Sequence, residues 1–318
     1  MTRHMTDILG MVRDGRLSEA TATIQARLRG DAAGPESDAT DRPMKDVTPT
    51  QRALPDPAAK GRSERRPKPK PRPAQARGGK AAPGHPDGSR WENLTGALPA
   101  RLYTPSAPTP GAPLIVMLHG CTQNPEDFAA GTRMNVAAEA IGAHVLWPEQ
   151  TRANNANGCW NWFEPGHQGR TGEARAIAGL AGEIATRAGV AAPRIHVAGL
   201  SAGGAMAAIL GARYPEVFAS VGIHSGLPVG SARDVSSALG AMRSGAAGTD
   251  APGVPAIVFH GLADRTVVPA NGRAILGGTA ERSSTEENGG RRVTVTSFGT
   301  SELWEVESLG HAWSGGDR

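Results

Sequence analysis

The 318 residues carry 34 Lys+Arg against 30 Asp+Glu, a net charge of +4, so about two domains or one large one are allowed. No apolar run approaches the roughly 18 residues that a membrane-spanning helix needs, and two cysteines cannot build a disulfide-dense scaffold. No repeat is visible, and residues 1–30 hold neither an uninterrupted apolar core nor a small-residue cleavage site, so no ordinary signal peptide is expected.

Residues 1–30 read as a short helical leader, with Ile8, Leu9, Met11 and Val12 before a turn at Gly15 and Leu17, Ile24 and Leu28 at helical spacing after it. Residues 31–89 contain only Met44, Val47 and Leu54 as large aliphatics, too few to offset the cost of ordering the backbone, and are expected to be a disordered Pro/basic linker. Residues 60–80 hold nine basic side chains and one acid, Glu64, a local charge of +8 that leaves −4 for the remainder of the chain. Within this stretch basic residues alternate with proline from Arg66 to Pro73, which favours extended polyproline II. Two readings follow, a solvated spacer or a contact to an anionic surface.

From residue 90 to 318 the texture changes, and every aromatic side chain lies at Trp91 or later. Strands are expected at 101–104, 114–119, 144–147, 195–199, 221–224, 256–260, 293–297 and 303–308. Helices are expected at 127–141, 172–188, 203–214 and 271–277, with a long polar, aromatic-bearing loop at 154–170. This alternation predicts βαβ units, and hence an α/β fold with a mostly parallel, doubly wound sheet covered on both faces.

The strongest chemical signal is Gly199-Leu200-Ser201-Ala202-Gly203, a G-x-S-x-G between an expected strand and an expected helix. A sharp strand-to-helix turn there lifts the serine hydroxyl above the sheet edge. A serine needs a base, and in such a sheet the partners follow in the order acid, then histidine. Asp234, Asp250 and Asp264 are the acidic candidates; Asp264 is favoured because it follows a buried strand, whereas no strand precedes the other two. His311 is favoured over His260 as base because it comes last, after a strand and a Leu-Gly turn; His260 reads as structural. The backbone amides of Ala202 and of Cys121, after the strand ending in Leu118-His119, are the expected oxyanion donors, with His119 supporting that loop.

Five segments together, L-H-G-C-T-Q (118–123), C-W-N-W-F (159–163), G-L-S-A-G-G (199–204), H-G-L-A-D-R-T-V (260–267) and G-H-A-W (310–313), resemble the polyhydroxybutyrate depolymerase esterase family. This branch of the α/β-hydrolases is similar to feruloyl and acetylxylan esterases. The resemblance covers about residues 90–318. It implies an α/β-hydrolase fold, an extracellular esterase and a Ser-Asp-His triad that falls on Ser201, Asp264 and His311. It also implies an oxyanion amide from the cysteine after H-G, here Cys121. The expected substrate is a short-chain hydroxyalkanoate polyester or oligomer, with a feruloyl or acetyl ester as the alternative, and no cofactor is implied.

Cys121 and Cys159 each sit in one of these motifs, so a disulfide between them is expected, with two buried thiols as the other possibility. A metal site from His119, Cys121, Cys159 and His167 is not expected, because no pair has zinc-site spacing. Trp160, Trp162 and Trp313 are candidates for an apolar substrate wall, with core packing as the alternative for the first two. The chain departs from the family in lacking a visible signal peptide, which leaves a cytoplasmic location open, and in ending seven residues after His311, where folds of this type place a further helix. A truncated C-terminus and a weakly supported His311 loop are the expectations that follow.

Overall fold

The structure, a computed structural model, describes residues 88–191 and 194–315. The expected leader and most of the expected linker, including the basic run 60–80, lie outside the described residues. The described chain forms one ten-stranded sheet in the order β1-β2-β4-β3-β5-β6-β7-β10-β9-β8. Its strands are β1 (Arg90–Leu94), β2 (Ala100–Thr104), β3 (Leu114–Leu118), β4 (His144–Pro148), β5 (Ile195–Leu200), β6 (Ser220–His224), β7 (Ala256–Gly261), β8 (Arg282–Asn288), β9 (Arg291–Phe298) and β10 (Ser301–Val306). The six central strands from β4 to β10 pair in parallel. The outer pairs on both sides are antiparallel.

Side-chain alternation splits the interior into two layers. Leu114, Val116 and Leu118 of β3 join Leu146 and Val197 on one face. That face is covered by α3 (Gly172–Ala188) and α4 (Ala202–Arg213). Met117, Val145 and Trp147 point to the other face, against α1 (Pro125–Thr132) and α2 (Met134–Ile141). Strands buried on both faces need continuous apolar runs, which is what L-I-V-M-L and H-V-L-W-P supply. Each fully buried Leu, Ile or Met contributes on the order of 2 kcal/mol.

One helix expected at 127–141 is two. Asn124 caps α1 by accepting the Asp127 amide at 2.8 Å, and Pro125 starts it. Arg133 adopts φ 54°, which ends α1 and redirects the chain into α2. Three further elements were not expected from the sequence, the first being the edge strand β1. Helix α5 (Val235–Ser244) begins with a capping box between Asp234 and Ser237, and strand β8 is polar and exposed along its whole length. A short helix α6 (Pro269–Arg273) replaces the one expected at 271–277.

Candidate active site

Ser201, Asp264 and His311 follow the C-terminal ends of β5, β7 and β10, at the same end of the parallel sheet. Ser201 takes φ 59° and ψ −118° at the junction of β5 and α4, a left-handed backbone that few non-glycine residues adopt. The surroundings hold it there. Its N–H donates to the His224 carbonyl at 2.9 Å, and a Cβ on Gly203 would stand 2.1 Å from the Leu118 carbonyl oxygen. Only glycine lets α4 start this close to β3. The serine side chain is partly exposed.

Asp264 is buried, and its Oδ1 accepts the amides of Thr266 and Val267, each at 2.9 Å. Its Oδ2 accepts His311 Nδ1–H at 2.7 Å. Burial alone would raise this carboxyl, but the His311 hydrogen bond and charge and the Val267 amide outweigh it and hold the pKa below the usual carboxylate range. The bond to Asp264 fixes the tautomer of His311 and leaves Nε2 as its basic nitrogen. The loops bearing the two residues are stitched together: the Ala263 amide donates to the Leu309 carbonyl at 3.0 Å and the Leu262 amide to the Val306 carbonyl at 2.9 Å. A Cβ on Gly261 would meet the Leu309 oxygen at 2.2 Å, so glycine is needed for this approach too. The His311 loop is therefore well supported, and the physical reason is this packing against the Asp264 loop.

His119 and His260 occupy supporting positions. His119 donates from Nδ1 to the Gly120 carbonyl at 2.8 Å and accepts the Gln150 amide on Nε2 at 3.1 Å. The second contact needs the neutral ring, since only an unprotonated Nε2 can accept, and burial lowers its pKa accordingly. Because the Gly120–Cys121 peptide is trans, tying its carbonyl to His119 aims the Cys121 N–H the opposite way. Gly120 itself lies beside Ser201: a Cβ placed on it would stand 3.6 Å from the serine Cβ. Among the described residues neither the Cys121 nor the Ala202 amide donates to a protein acceptor. The Ala202 amide opens α4, where the helix dipole favours negative charge. His260 donates from Nε2 to the Val267 carbonyl at 2.8 Å, bracing the loop that presents Asp264.

Cys121 and Cys159 form a disulfide, so neither sulfur is a free thiolate for a metal. The bond joins the loop after β3 to the loop after β4, which is further tied by the Thr122 amide on the Asn157 carbonyl at 2.9 Å. The second loop rests on a buried polar network that the sequence reading missed. Glu173, in the first turn of α3, accepts the Asn161 amide at 2.7 Å and its Nδ2 at 2.6 Å, and also the side chain of Gln150.

The tryptophans need correction. Trp160 is fully buried and donates from Nε1 to the His119 carbonyl at 3.1 Å; Trp162 is also buried, against Phe163. Both belong to the core beneath the site, because the disulfide and Glu173 pull their loop inward, and neither forms a substrate wall. Trp313 differs. It is half-buried, stacked on His224 with ring centroids 5.0 Å apart and edge-on to Phe128 at 5.6 Å.

A serine at a strand–helix turn, with an aspartate–histidine pair on later strands of a mostly parallel sheet, defines an α/β-hydrolase. The sequence profile described as Esterase PHB depolymerase matches residues 98–293, and the chain belongs to that family. The matched stretch contains Ser201 and Asp264 and stops before His311. The chain is 34% identical over 185 residues to poly(3-hydroxyalkanoate) depolymerase C of Paucimonas lemoignei, covering 53% of this chain and 44% of that one. It is 29% identical over 260 residues to poly(3-hydroxybutyrate) depolymerase of Ralstonia pickettii, covering 70% and 52%. The chain thus spans about half the length of these curated relatives. In fold it is similar to an acetyl xylan esterase from Aspergillus awamori, with a TM-score of 0.61 and 17% identity over 70% of this chain and 94% of that one.

Proposed function

We propose that the protein is a serine esterase that cleaves carboxylic esters through an acyl-enzyme. The observation that carries this reading is the 2.7 Å His311–Asp264 hydrogen bond, made at the same end of the sheet as the left-handed Ser201 turn. Ser201 Oγ attacks the ester carbon, and His311 Nε2 takes its proton. Asp264 keeps the opposite ring nitrogen protonated and stabilises the imidazolium as it forms. The oxyanion is received by the Cys121 and Ala202 amides. His311 returns the proton to the leaving alkoxide, and water repeats the sequence on the acyl-serine.

The substrate we propose is a short-chain hydroxyalkanoate polyester or its oligomers, on the strength of the relatives named as depolymerases. Similarity to acetylxylan esterase A of Talaromyces purpureogenus, 25% identical over 205 residues, and to feruloyl esterase B of Neurospora crassa, 29% identical over 127 residues, supports a feruloyl or acetyl ester of a polysaccharide as the second reading. Turnover of p-nitrophenyl butyrate tests the chemistry, and a panel with polyhydroxybutyrate granules, methyl ferulate and acetylated xylan tests the substrate. Hydrolysis of the granules and not of the other two is expected; the reverse pattern favours the second reading. An extracellular site of action is proposed with it, since the Cys121–Cys159 disulfide persists in an oxidising compartment.

A further inference from the structure

We infer that His224 is the positioning residue of the base, a clamp that links the Ser201 turn to the His311 loop; the inference rests on the triad reading above. His224 ends β6, the strand that lies in the sheet between the one bearing Ser201 and the one bearing Asp264. It is buried and contacts both sides at once. Its carbonyl accepts the Ser201 N–H at 2.9 Å, and its Nε2 accepts the Ser314 N–H at 2.9 Å, three residues past His311. A backbone amide can only donate, so Nε2 must carry the lone pair and Nδ1 the proton. Ser225 Oγ stands 3.3 Å from Nδ1 and accepts its N–H. Ser225 is fully buried and held at φ 48°, a conformation that persists only where the surroundings enforce it. The ring is also packed between Phe259, 5.8 Å away, and Trp313, 5.0 Å away, both nearly parallel to it.

The loop from Leu309 to Gly315 is thus held at three points: the Asp264 loop, the Trp313 stack and the Ser314 amide. The first fixes where His311 Nδ1 meets its carboxylate. The other two run through His224, which also takes the nucleophile's own amide, and so set the base relative to the serine. A misplacement of about 1 Å in such a pair costs on the order of 100-fold in rate.

The test uses His224→Leu, which keeps the volume and removes the acceptor, and His224→Gln, whose Oε1 can replace Nε2. Ser314→Pro removes the donor from the other side without touching the core. Their readouts are p-nitrophenyl butyrate kinetics, the melting temperature, and the far-downfield proton resonance of His311 Nδ1–H, identified by its loss in His311→Ala. His224→Leu and Ser314→Pro should each lower kcat on the order of 10- to 100-fold at little change in KM and weaken the resonance. The double variant should lose no more than the worse single, because both remove one bond. His224→Gln should recover most of the loss. Wild-type kcat with an intact resonance in His224→Leu would overturn the inference, as would losses in all three variants that follow the melting temperature and add in the double variant. A wild-type protein that cleaves no ester would refute the functional reading instead, and the resonance would still decide the clamp.

Discussion

At the scale of single residues, the proposed chemistry depends on groups with unequal burial. Asp264 is buried and satisfied by three donors, His311 is one-fifth exposed, and Ser201 is partly open to its substrate. Replacing Asp264 by Asn leaves the loop amides an acceptor but lets the imidazole take the wrong tautomer, and kcat on p-nitrophenyl butyrate should fall on the order of 10⁴-fold with modest change in KM. His311→Ala should cost a similar factor. Equal kcat in Asp264→Asn and wild type would remove Asp264 from the mechanism. His119 and His260 sit close by, yet both have their donor nitrogens committed to backbone carbonyls, Gly120 and Val267, which suits them to bracing and not to proton transfer.

At the scale of elements, the site is assembled from loops pinned by glycines, one disulfide and one buried glutamate. A methyl on Gly203 would overlap the Leu118 carbonyl, so Gly203→Ala should destabilise the fold by roughly 2–3 kcal/mol or more and abolish activity, measured by urea denaturation and turnover. The Cys121–Cys159 bond closes a span of 38 residues, for which about 3–4 kcal/mol of stabilisation is expected. Reduction should lower the melting temperature and reduce kcat more than it raises KM, because the loop it frees carries the Cys121 amide proposed as an oxyanion donor. A melting curve unchanged by reductant would contradict the stabilisation by this bond, and an unchanged kcat would contradict the oxyanion role of Cys121.

The sequence made the buried parallel strands legible because their apolar runs have no other use, and strand order then singled out Asp264 and His311. Other features left no such trace. Strand β8, R-S-S-T-E-E-N, is exposed on both faces, so no periodicity marks it; it is stabilised by pairing with β9, including hydroxyl contacts between Thr285 and Thr294 and between Ser283 and Thr296. Helix α5 is rich in Ser, Ala and Gly, and its start is signalled only by the Asp234 cap. The aromatic loop at Trp160 reads as a substrate wall until Glu173, distant in sequence, is seen to anchor it inside. His224 carries no motif of its own, and its role depends on Ser314, 90 residues away.

At the scale of the whole molecule, several histidines set the response to acid. His224 is buried and pushed down to about 3, chiefly by burial and then by the nearby His260 and His311. His119 and His260 are also lowered, chiefly by burial. The unfolded chain binds protons on these rings near pH 6.5 while the folded one does not, so the stability they confer is complete above that value and declines below it. For His224 the decline continues to about pH 3, at about 1.4 kcal/mol per pH unit. The melting temperature should therefore fall steeply from pH 7 to pH 4, and His224→Gln should flatten that fall; a flat profile in the wild type would contradict the neutral assignments.

Charge is divided along the chain as well. The +8 of residues 60–80 outweighs the −4 of everything else, so any binding to polyanions should vanish on removing residues 1–89 while esterase turnover survives. Loss of both would mean that the N-terminal residues are part of the catalytic unit.

Covalent labelling tests Ser201 as the nucleophile without relying on any one substrate. A p-nitrophenyl phosphonate offered to the intact protein should release one equivalent of p-nitrophenol, and mass spectrometry should place the phosphonyl group on the peptide containing Ser201, with no adduct in Ser201→Ala. Labelling of a different serine, or ester turnover at the wild-type rate in Ser201→Ala, would contradict the account.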